Sequence, residues 1–184
     1  MMQLSAVLVM MSVFFAIIGF LRGWNREIIS TAGIVLGLFA LFQFDTILRG
    51  TILANVSRDQ VFFVQTGIFA VIVFFAYQTR SIMGADIARE RREERSGRDN
   101  LQESVLGALL GALNGYLIWG SIWYFMDINE YPLAPFIIAP APGSASAATE
   151  GVLPLVLLGG GPGGNGDLLA VAVIILFVFV LILI

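Results

Sequence analysis

The 184-residue chain is more hydrophobic than soluble domains are, with 58% apolar residues and a mean hydropathy of +0.90. Its charged residues are ten arginines and thirteen carboxylates, giving a formal net charge of −3, whereas a nucleic-acid-binding protein would need a surplus of positive charge. Because cysteine and histidine are missing, disulfides, Cys/His zinc sites and imidazole catalysis are excluded. We therefore expect an integral membrane protein with no metal, cofactor or nucleic-acid partner.

Four apolar stretches have about the 20 residues that a helix needs to span a bilayer. They run over residues 2–21, 27–44, 61–77 and 101–126. We predict an all-α, four-helix transmembrane domain over residues 1–126. The aliphatic tail, residues 168–184, predicts a fifth transmembrane helix at the short end of the spanning range.

The arginines are distributed unevenly among the connections between these spans. The first connection holds Arg22 and Arg26, the third holds six arginines, the second holds Arg49 and Arg58, and the fourth has no basic residue. Cytoplasmic connections collect positive residues. The pattern therefore predicts the first and third connections in the cytoplasm, the N-terminus outside and, with five spans, the C-terminus inside.

The third and fourth connections differ sharply in composition. Residues 80–103 carry six arginines and six carboxylates, which favours a solvated cytoplasmic helix with i,i+4 ion pairs; docking to a soluble partner is the alternative. Residues 127–167 are rich in proline, glycine and alanine, which predicts an irregular or polyproline-like extracytoplasmic loop. Its apolar piece "VLPLVLL" is too short to span.

The first connection, "GFLRGWNREI", places charged side chains between two apolar runs. Arg22 and Arg26 can extend their guanidinium groups to lipid phosphates while Trp24 lies at headgroup depth. Glu27 opens the second helix, where a carboxylate offsets the partial positive charge of free backbone amides. These four residues are either a plain interfacial turn or a site that holds a lipid headgroup or a partner's acidic residue.

Glycines four residues apart occur in three of the spans. This spacing leaves one face of a helix open to the backbone of another helix, although glycines scattered on lipid-facing surfaces are the alternative. Beside the last of them is Asn114, the deepest polar residue, which we expect to hydrogen-bond across a helix pair. We also expect the second and fourth helices to pack closely. The glycines are Gly19, Gly23, Gly33, Gly37, Gly107, Gly111 and Gly115.

Ionised side chains inside a bilayer are costly and usually functional. We expect no Asp, Glu or Arg inside any of the spans. An ion-coupled transporter is therefore disfavoured.

The stretches "FFAIIGFLRGWNREIISTAGIVLG" and "LQESVLGALLGALNGYLIW" resemble the bacterial colicin V production protein family over about residues 1–126. The resemblance implies a protein of the bacterial cytoplasmic (inner) membrane associated with bacteriocin production or export and with envelope maintenance, and it implies no enzyme. Asn114 departs from the family, which commonly has an arginine there, and residues 127–184 are additional. The matching positions are Gly19, Arg22, Gly23, Arg26, Glu27, Gly33, Gly37, Gly107, Gly111 and Gly115.

We therefore expect a non-enzymatic membrane protein that acts through helix packing and contacts with other membrane subunits. One alternative is a small accessory subunit of a large respiratory or photosynthetic complex. Another is a component of an oligomeric channel or exporter.

Overall fold

The computed structural model describes residues 3–78 and 97–183, and every regular element in these residues is helical. Four helices are long and apolar enough to cross a membrane, which confirms the predicted all-α fold with four spans. Most of the charged segment 80–103 lies outside the described residues. The helices are α1 (Leu4–Arg22), α2 (Trp24–Ile47) with a π-helical turn (Leu48–Ile52), α3 (Arg58–Gln78), α4 (Gly97–Ile128), α5 (Ala145–Glu150), α6 (Pro154–Gly159) and α7 (Asp167–Leu183).

A single residue, Gly23, joins α1 to α2. Its φ of 80° is in the left-handed region, and its N–H donates to the carbonyl oxygen of Gly19 at 2.9 Å. Glycine adopts this conformation without steric cost and commonly ends a helix in this way. The chain therefore reverses at once, and α2 begins three residues earlier than the apolar run suggests. We call this end of the bundle the Gly23 face, and the end at which α4 stops the Asn129 face.

The glycines of α4 lie against α1. A Cβ on Gly115 would lie 2.8 Å from the carbonyl oxygen of Met11, and a Cβ on Gly19 would lie 2.9 Å from the Cα of Gly111. The two backbones are therefore in contact over several turns. We expected these glycines to pack the fourth span against the second, but the structure places the first span there.

At two glycines of α2, side chains of α3 pack closely against the α2 backbone. A Cβ on Gly33 would lie 2.7 Å from the Cβ of Ala76, and one on Gly37 would lie 2.6 Å from a methyl group of Ile72. The opposite side of α2 meets α4, where the polar contacts described below replace glycine packing. α2 is thus the central helix, with 50% of its spanning window buried against 11% for α1.

Residues 127–166 fold back onto the bundle. Ser144 caps α5 by accepting a hydrogen bond from the N–H of Ala147 at 3.1 Å, and Pro154 occupies the first turn of α6. Leu153 and Leu155 are each 1% exposed. The predicted irregular loop is therefore wrong only over residues 145–150 and 154–159, where two short helices form; residues 129–144 and 160–166 are irregular. Burial of the apolar "VLPLVLL" piece outweighs the turn-forming composition around it.

The last helix, α7, lies alongside α2. A Cβ on Gly166, the residue before α7, would lie 3.0 Å from the ring of Phe42. Near the other end of α7, the rings of Phe179 and Trp24 meet edge to face with centroids 5.7 Å apart. Phe42 and Trp24 are 18 positions apart in α2, about 27 Å along the helix. α7 has 17 residues, fewer than any of the four spans, and its crossing of the membrane remains a prediction.

Candidate functional site

Two groups of polar side chains interrupt the apolar core, one at each end of α2. The first, the Glu27 cluster, lies at the Gly23 face. It consists of Arg22, Glu27, Ser30, Thr31, Tyr77 and Asn114. The second, the Asp45 cluster, lies at the Asn129 face and consists of Asp45, Arg49, Gln65 and Asn129.

Glu27 is a fully buried carboxylate, with 0% of its surface exposed. Its Oε1 accepts a hydrogen bond from Nη1 of Arg22 at 2.5 Å. Its Oε2 accepts from Nδ2 of Asn114 at 2.8 Å and from the hydroxyl of Tyr77 at 3.3 Å. A buried charge is costly unless it is both paired and hydrogen-bonded. Both oxygens meet that requirement, with partners drawn from three other helices.

Arg22, the last residue of α1, also reaches the end of α3. Its Nη2 donates to the carbonyl oxygen of Tyr77 at 3.2 Å, and its guanidinium carbon lies 4.4 Å from the centroid of the Tyr77 ring. The last carbonyls of a helix lack intrahelical donors, and a cation is favoured beside them. Arg22 therefore caps α3 while it neutralises Glu27, joining the ends of three helices.

Asn114 connects α4 to this group. It is 0% exposed, its Oδ1 accepts from the hydroxyl of Thr31 at 2.8 Å, and its Nδ2 donates to Glu27. The carbonyl oxygen of Glu27 also lies 2.8 Å from the Thr31 hydroxyl, so the single hydroxyl proton is shared between these two acceptors. The amide thus bridges α2 and α4, and its Nδ2 must face the carboxylate because an oxygen there would be repelled.

The expectation that no charged residue lies inside a span stays a prediction, because the charged residues of α2 and of its π-helical turn lie towards the two ends of that segment. Glu27 is in the first turn of α2, and Asp45 and Arg49 lie within the same helical segment, Trp24–Ile52, that has the length and composition of a span. Hydropathy assigns such residues to the boundaries because each charge interrupts the apolar run. About 27 Å of helix separates Glu27 from Asp45, close to the thickness of a hydrocarbon core, and each carboxylate is paired with an arginine.

The predicted contact with lipid headgroups fails for two of the four residues of the first connection. Glu27 is enclosed by protein, and the guanidinium of Arg22 turns inward, leaving that side chain 21% exposed. The acidic residue that Arg22 holds belongs to its own chain. Arg26 is exposed, and Trp24 is half-buried against Phe179.

The Asp45 cluster repeats the chemistry of the Glu27 cluster. Nε of Arg49 donates to both carboxylate oxygens of Asp45 at 2.9 and 3.0 Å. The two remaining nitrogens donate to Oδ1 of Asn129 and Oε1 of Gln65, each at 3.1 Å, and Nε2 of Gln65 returns to Asp45 at 2.6 Å. Again a carboxylate–arginine pair meets one polar side chain from α3 and an asparagine, here Asn129, the residue that directly follows α4.

A largely apolar layer separates the two clusters, although the buried hydroxyl of Ser121, about halfway between Asn114 and Asn129, has no hydrogen-bond partner. Ile34 and Leu38 of α2 and Phe69 of α3 are each 0% exposed. Polar side chains therefore tie the helices together near both ends of α2, while the middle is closed by aliphatic and aromatic packing.

A third polar contact lies at the Asn129 face and joins Trp123, near the end of α4, to two residues that follow the spans. The hydroxyl of Tyr131 donates to Oε1 of Glu150 at 2.7 Å and accepts from Nε1 of Trp123 at 3.1 Å. Burial raises the pKa of Tyr131, and the neighbouring Glu150 carboxylate raises that pKa further. The phenol is therefore a neutral donor at physiological pH, holding α5 to the end of α4.

Within residues 3–78 and 97–183, no group of three or more Asp or Glu side chains is placed to hold a metal ion. The acidic residues of the two clusters each face an arginine instead.

A family of known proteins matches most of the chain. The family model described as colicin V production protein matches residues 4–137, which is more than half of the chain. The matched range contains all residues of both clusters and stops before α5. No curated protein and no solved structure matches the chain.

Proposed function

The chain belongs to the colicin V production protein family, and from that membership we propose that it is a non-enzymatic membrane protein that serves bacteriocin production or export and envelope maintenance by contacting partner proteins. Family membership and four spanning helices together support a multi-pass membrane protein linked to bacteriocin production. The absence of enzymatic activity and the contacts with partners are the parts that we propose.

The observation that carries this proposal is the way in which the buried polar groups are used. Glu27, Asn114, Gln65 and Asn129 are at most 2% exposed, and each is bonded to another core side chain. Side chains enclosed in this way hold helices in place and are closed to a substrate. The outward surfaces and the connections are then the parts through which the protein acts.

We propose the bacterial cytoplasmic membrane as its location, with the Gly23 face in the cytoplasm. The support is the placement of Arg22 and Arg26 at that face, together with the six arginines between residues 80 and 98. α7 extends beside α2 over about 27 Å, close to the ~30 Å of a hydrocarbon core. It would thus be a fifth crossing that brings residue 183 to the cytoplasmic side.

Because the natural chain has no cysteine, single-cysteine labelling tests this orientation cleanly. Arg26→Cys and Asp59→Cys place thiols at exposed positions on the Gly23 and Asn129 faces, respectively. A membrane-impermeant maleimide should label Asp59→Cys in intact spheroplasts and Arg26→Cys only after lysis. The reverse pattern would overturn the orientation.

Two other functions remain proposals. Nine of the 15 phenylalanines are exposed on the surface of the bundle, which favours an accessory subunit packed against a larger respiratory or photosynthetic complex. A channel or exporter would need several copies, because the layer of Ile34, Leu38 and Phe69 closes the middle of the single chain. Purification in mild detergent separates these options by the size and composition of the native assembly.

The main proposal is tested by deleting the gene in its host and restoring it on a plasmid. Deletion should lower the bacteriocin released into the medium and raise sensitivity to detergents, and the wild-type gene should reverse both changes. Glu130→Gln, which alters an exposed carboxylate, should complement fully and is the control for Glu27→Gln, which should not. Unchanged bacteriocin release and detergent resistance after deletion would count against the proposal.

A further inference from the structure

A short uncharged turn projects from the bundle just after α4. Residues 131–149 contain no charged side chain. Within them, residues 133–138, which we call the Phe136 knuckle, carry the most exposed large apolar side chain of the described residues: Phe136 is 93% exposed. Ile138, beside it, is 42% exposed.

Backbone hydrogen bonds fix the position of the knuckle. The N–H of Tyr131 donates to the carbonyl oxygen of Met126 at 2.8 Å, so the chain folds back over the last turn of α4. The N–H groups of Phe136 and Ile137 both donate to the carbonyl oxygen of Leu133, at 2.9 and 3.0 Å. The knuckle is therefore a closed turn that stays level with the end of the bundle.

The side chains of the knuckle point in two directions. Leu133 and Ile137 pack against the core of the bundle, and because they flank Phe136 they hold its ring on the outer side of the turn. Exposing such an aromatic side chain to water is unfavourable. The boundary between lipid headgroups and acyl chains, where aromatic residues are enriched, is a favourable environment for it.

We propose that the Phe136 knuckle inserts into the lipid leaflet at the Asn129 face and anchors that end of the bundle. Two observations favour lipid over a protein partner. The knuckle lies at the level of Asn129, whose cluster marks the end of the apolar core, so the interfacial layer of the bilayer surrounds it. The chain from Tyr131 to Thr149 also offers no charge with which a protein partner could be selected, whereas an interfacial layer accepts an uncharged aromatic turn directly.

Spin labelling of the full-length protein in phosphatidylcholine–phosphatidylglycerol vesicles tests this proposal. A nitroxide on Phe136→Cys should collide more often with oxygen, which concentrates in lipid, than with a water-soluble nickel chelate. The matched control is Asp59→Cys, an exposed position on the same face, which should favour the nickel chelate. We expect an oxygen-to-nickel ratio several-fold higher at residue 136 than at residue 59.

A second variant keeps the aromatic ring. Phe136→Trp should be quenched by phospholipids brominated near the headgroup, beyond the quenching of the three natural tryptophans. Equal ratios at residues 136 and 59, with no added quenching of Phe136→Trp, would overturn the proposal. So would protection of residue 136 from both oxygen and nickel in native membranes but not in vesicles, because that result identifies a covering protein.

Discussion

Nη1 of Arg22 lies 2.5 Å from Oε1 of Glu27, across the single residue that separates α1 from α2. The last side chain of one helix thereby neutralises a carboxylate inside the next. Asn114 and Tyr77 complete the shell of that carboxylate, so one charge pair involves all four spanning helices.

Glu27→Gln should destabilise the protein strongly. The substitution keeps the size of the side chain but leaves Arg22 without its counter-charge, and breaking a buried pair in this way typically costs about 3–5 kcal/mol. The free energy of unfolding, measured by titrating dodecyl maltoside micelles with sodium dodecyl sulfate, should fall by about 3 kcal/mol because Arg22 is partly exposed. Glu130→Gln is the control, since its pair with Arg58 is exposed and should contribute at most about 1 kcal/mol. Equal losses for the two variants would contradict the special role of Glu27.

Gly111→Ala should separate α1 from α4. The new methyl group would meet the backbone of Phe15 and lie 3.0 Å from the Cα of Gly19, and overpacking of this kind costs about 1–3 kcal/mol. Gly67→Ala is the matched control, because nothing lies within 4 Å of a Cβ at that position of α3. It should be neutral or stabilising by up to about 1 kcal/mol through helix propensity. The same unfolding titration measures both, and a larger loss for Gly67→Ala would reverse the assignment.

Asn114→Asp should be far more harmful than Thr31→Val. The aspartate would place an oxygen opposite Oε2 of Glu27, at a position where Nδ2 now donates over 2.8 Å. Thr31→Val removes the hydroxyl that lies between Oδ1 of Asn114 and the carbonyl oxygen of Glu27, and an average hydrogen bond between membrane helices contributes about 0.6 kcal/mol. Comparable unfolding free energies for the two variants would mean that Asn114 does not face the carboxylate.

The two clusters should act independently. Glu27 and Asp45 are 18 positions apart in α2, about 27 Å along the helix, with the apolar layer of Ile34 and Leu38 between them. The unfolding losses of Glu27→Gln and Asp45→Asn should therefore add to within about 0.5 kcal/mol in the double variant. A coupling well above that value would show that α2 transmits strain between its ends.

Apolar run length was sufficient to predict the spans. The run at residues 61–77 became α3, Arg58–Gln78, and the run at 101–126 became the apolar part of α4. This works because a span must satisfy its backbone internally and present an apolar surface over a fixed thickness. The ends of the helices were predicted less accurately than the spans. The second helix, α2, begins at Trp24 because the positive φ of Gly23 reverses the chain, and hydropathy carries no information about a φ angle.

The sequence could not predict which helix packs against the glycine face of α4. Glycine spacing identifies one face of α4, but it does not specify whether α1 or α2 fills the groove. The Glu27 cluster was missed for a related reason, since Asn114 is 87 positions away from Glu27. The sequence contains one signal that could have identified this cluster. Arg22 closely precedes Glu27 at the start of an apolar run, and a later span contains a single asparagine, Asn114.

The central claim is that the Arg22–Glu27 pair stabilises the four-helix bundle, and a double-mutant cycle measures it most directly. Arg22→Met, Glu27→Gln and the double variant are compared by unfolding titration in the same micelles. We predict a coupling free energy of at least about 1.5 kcal/mol, with the double variant more stable than Glu27→Gln alone because the uncompensated guanidinium is gone. A coupling near zero, with the two single losses simply adding, would contradict the account.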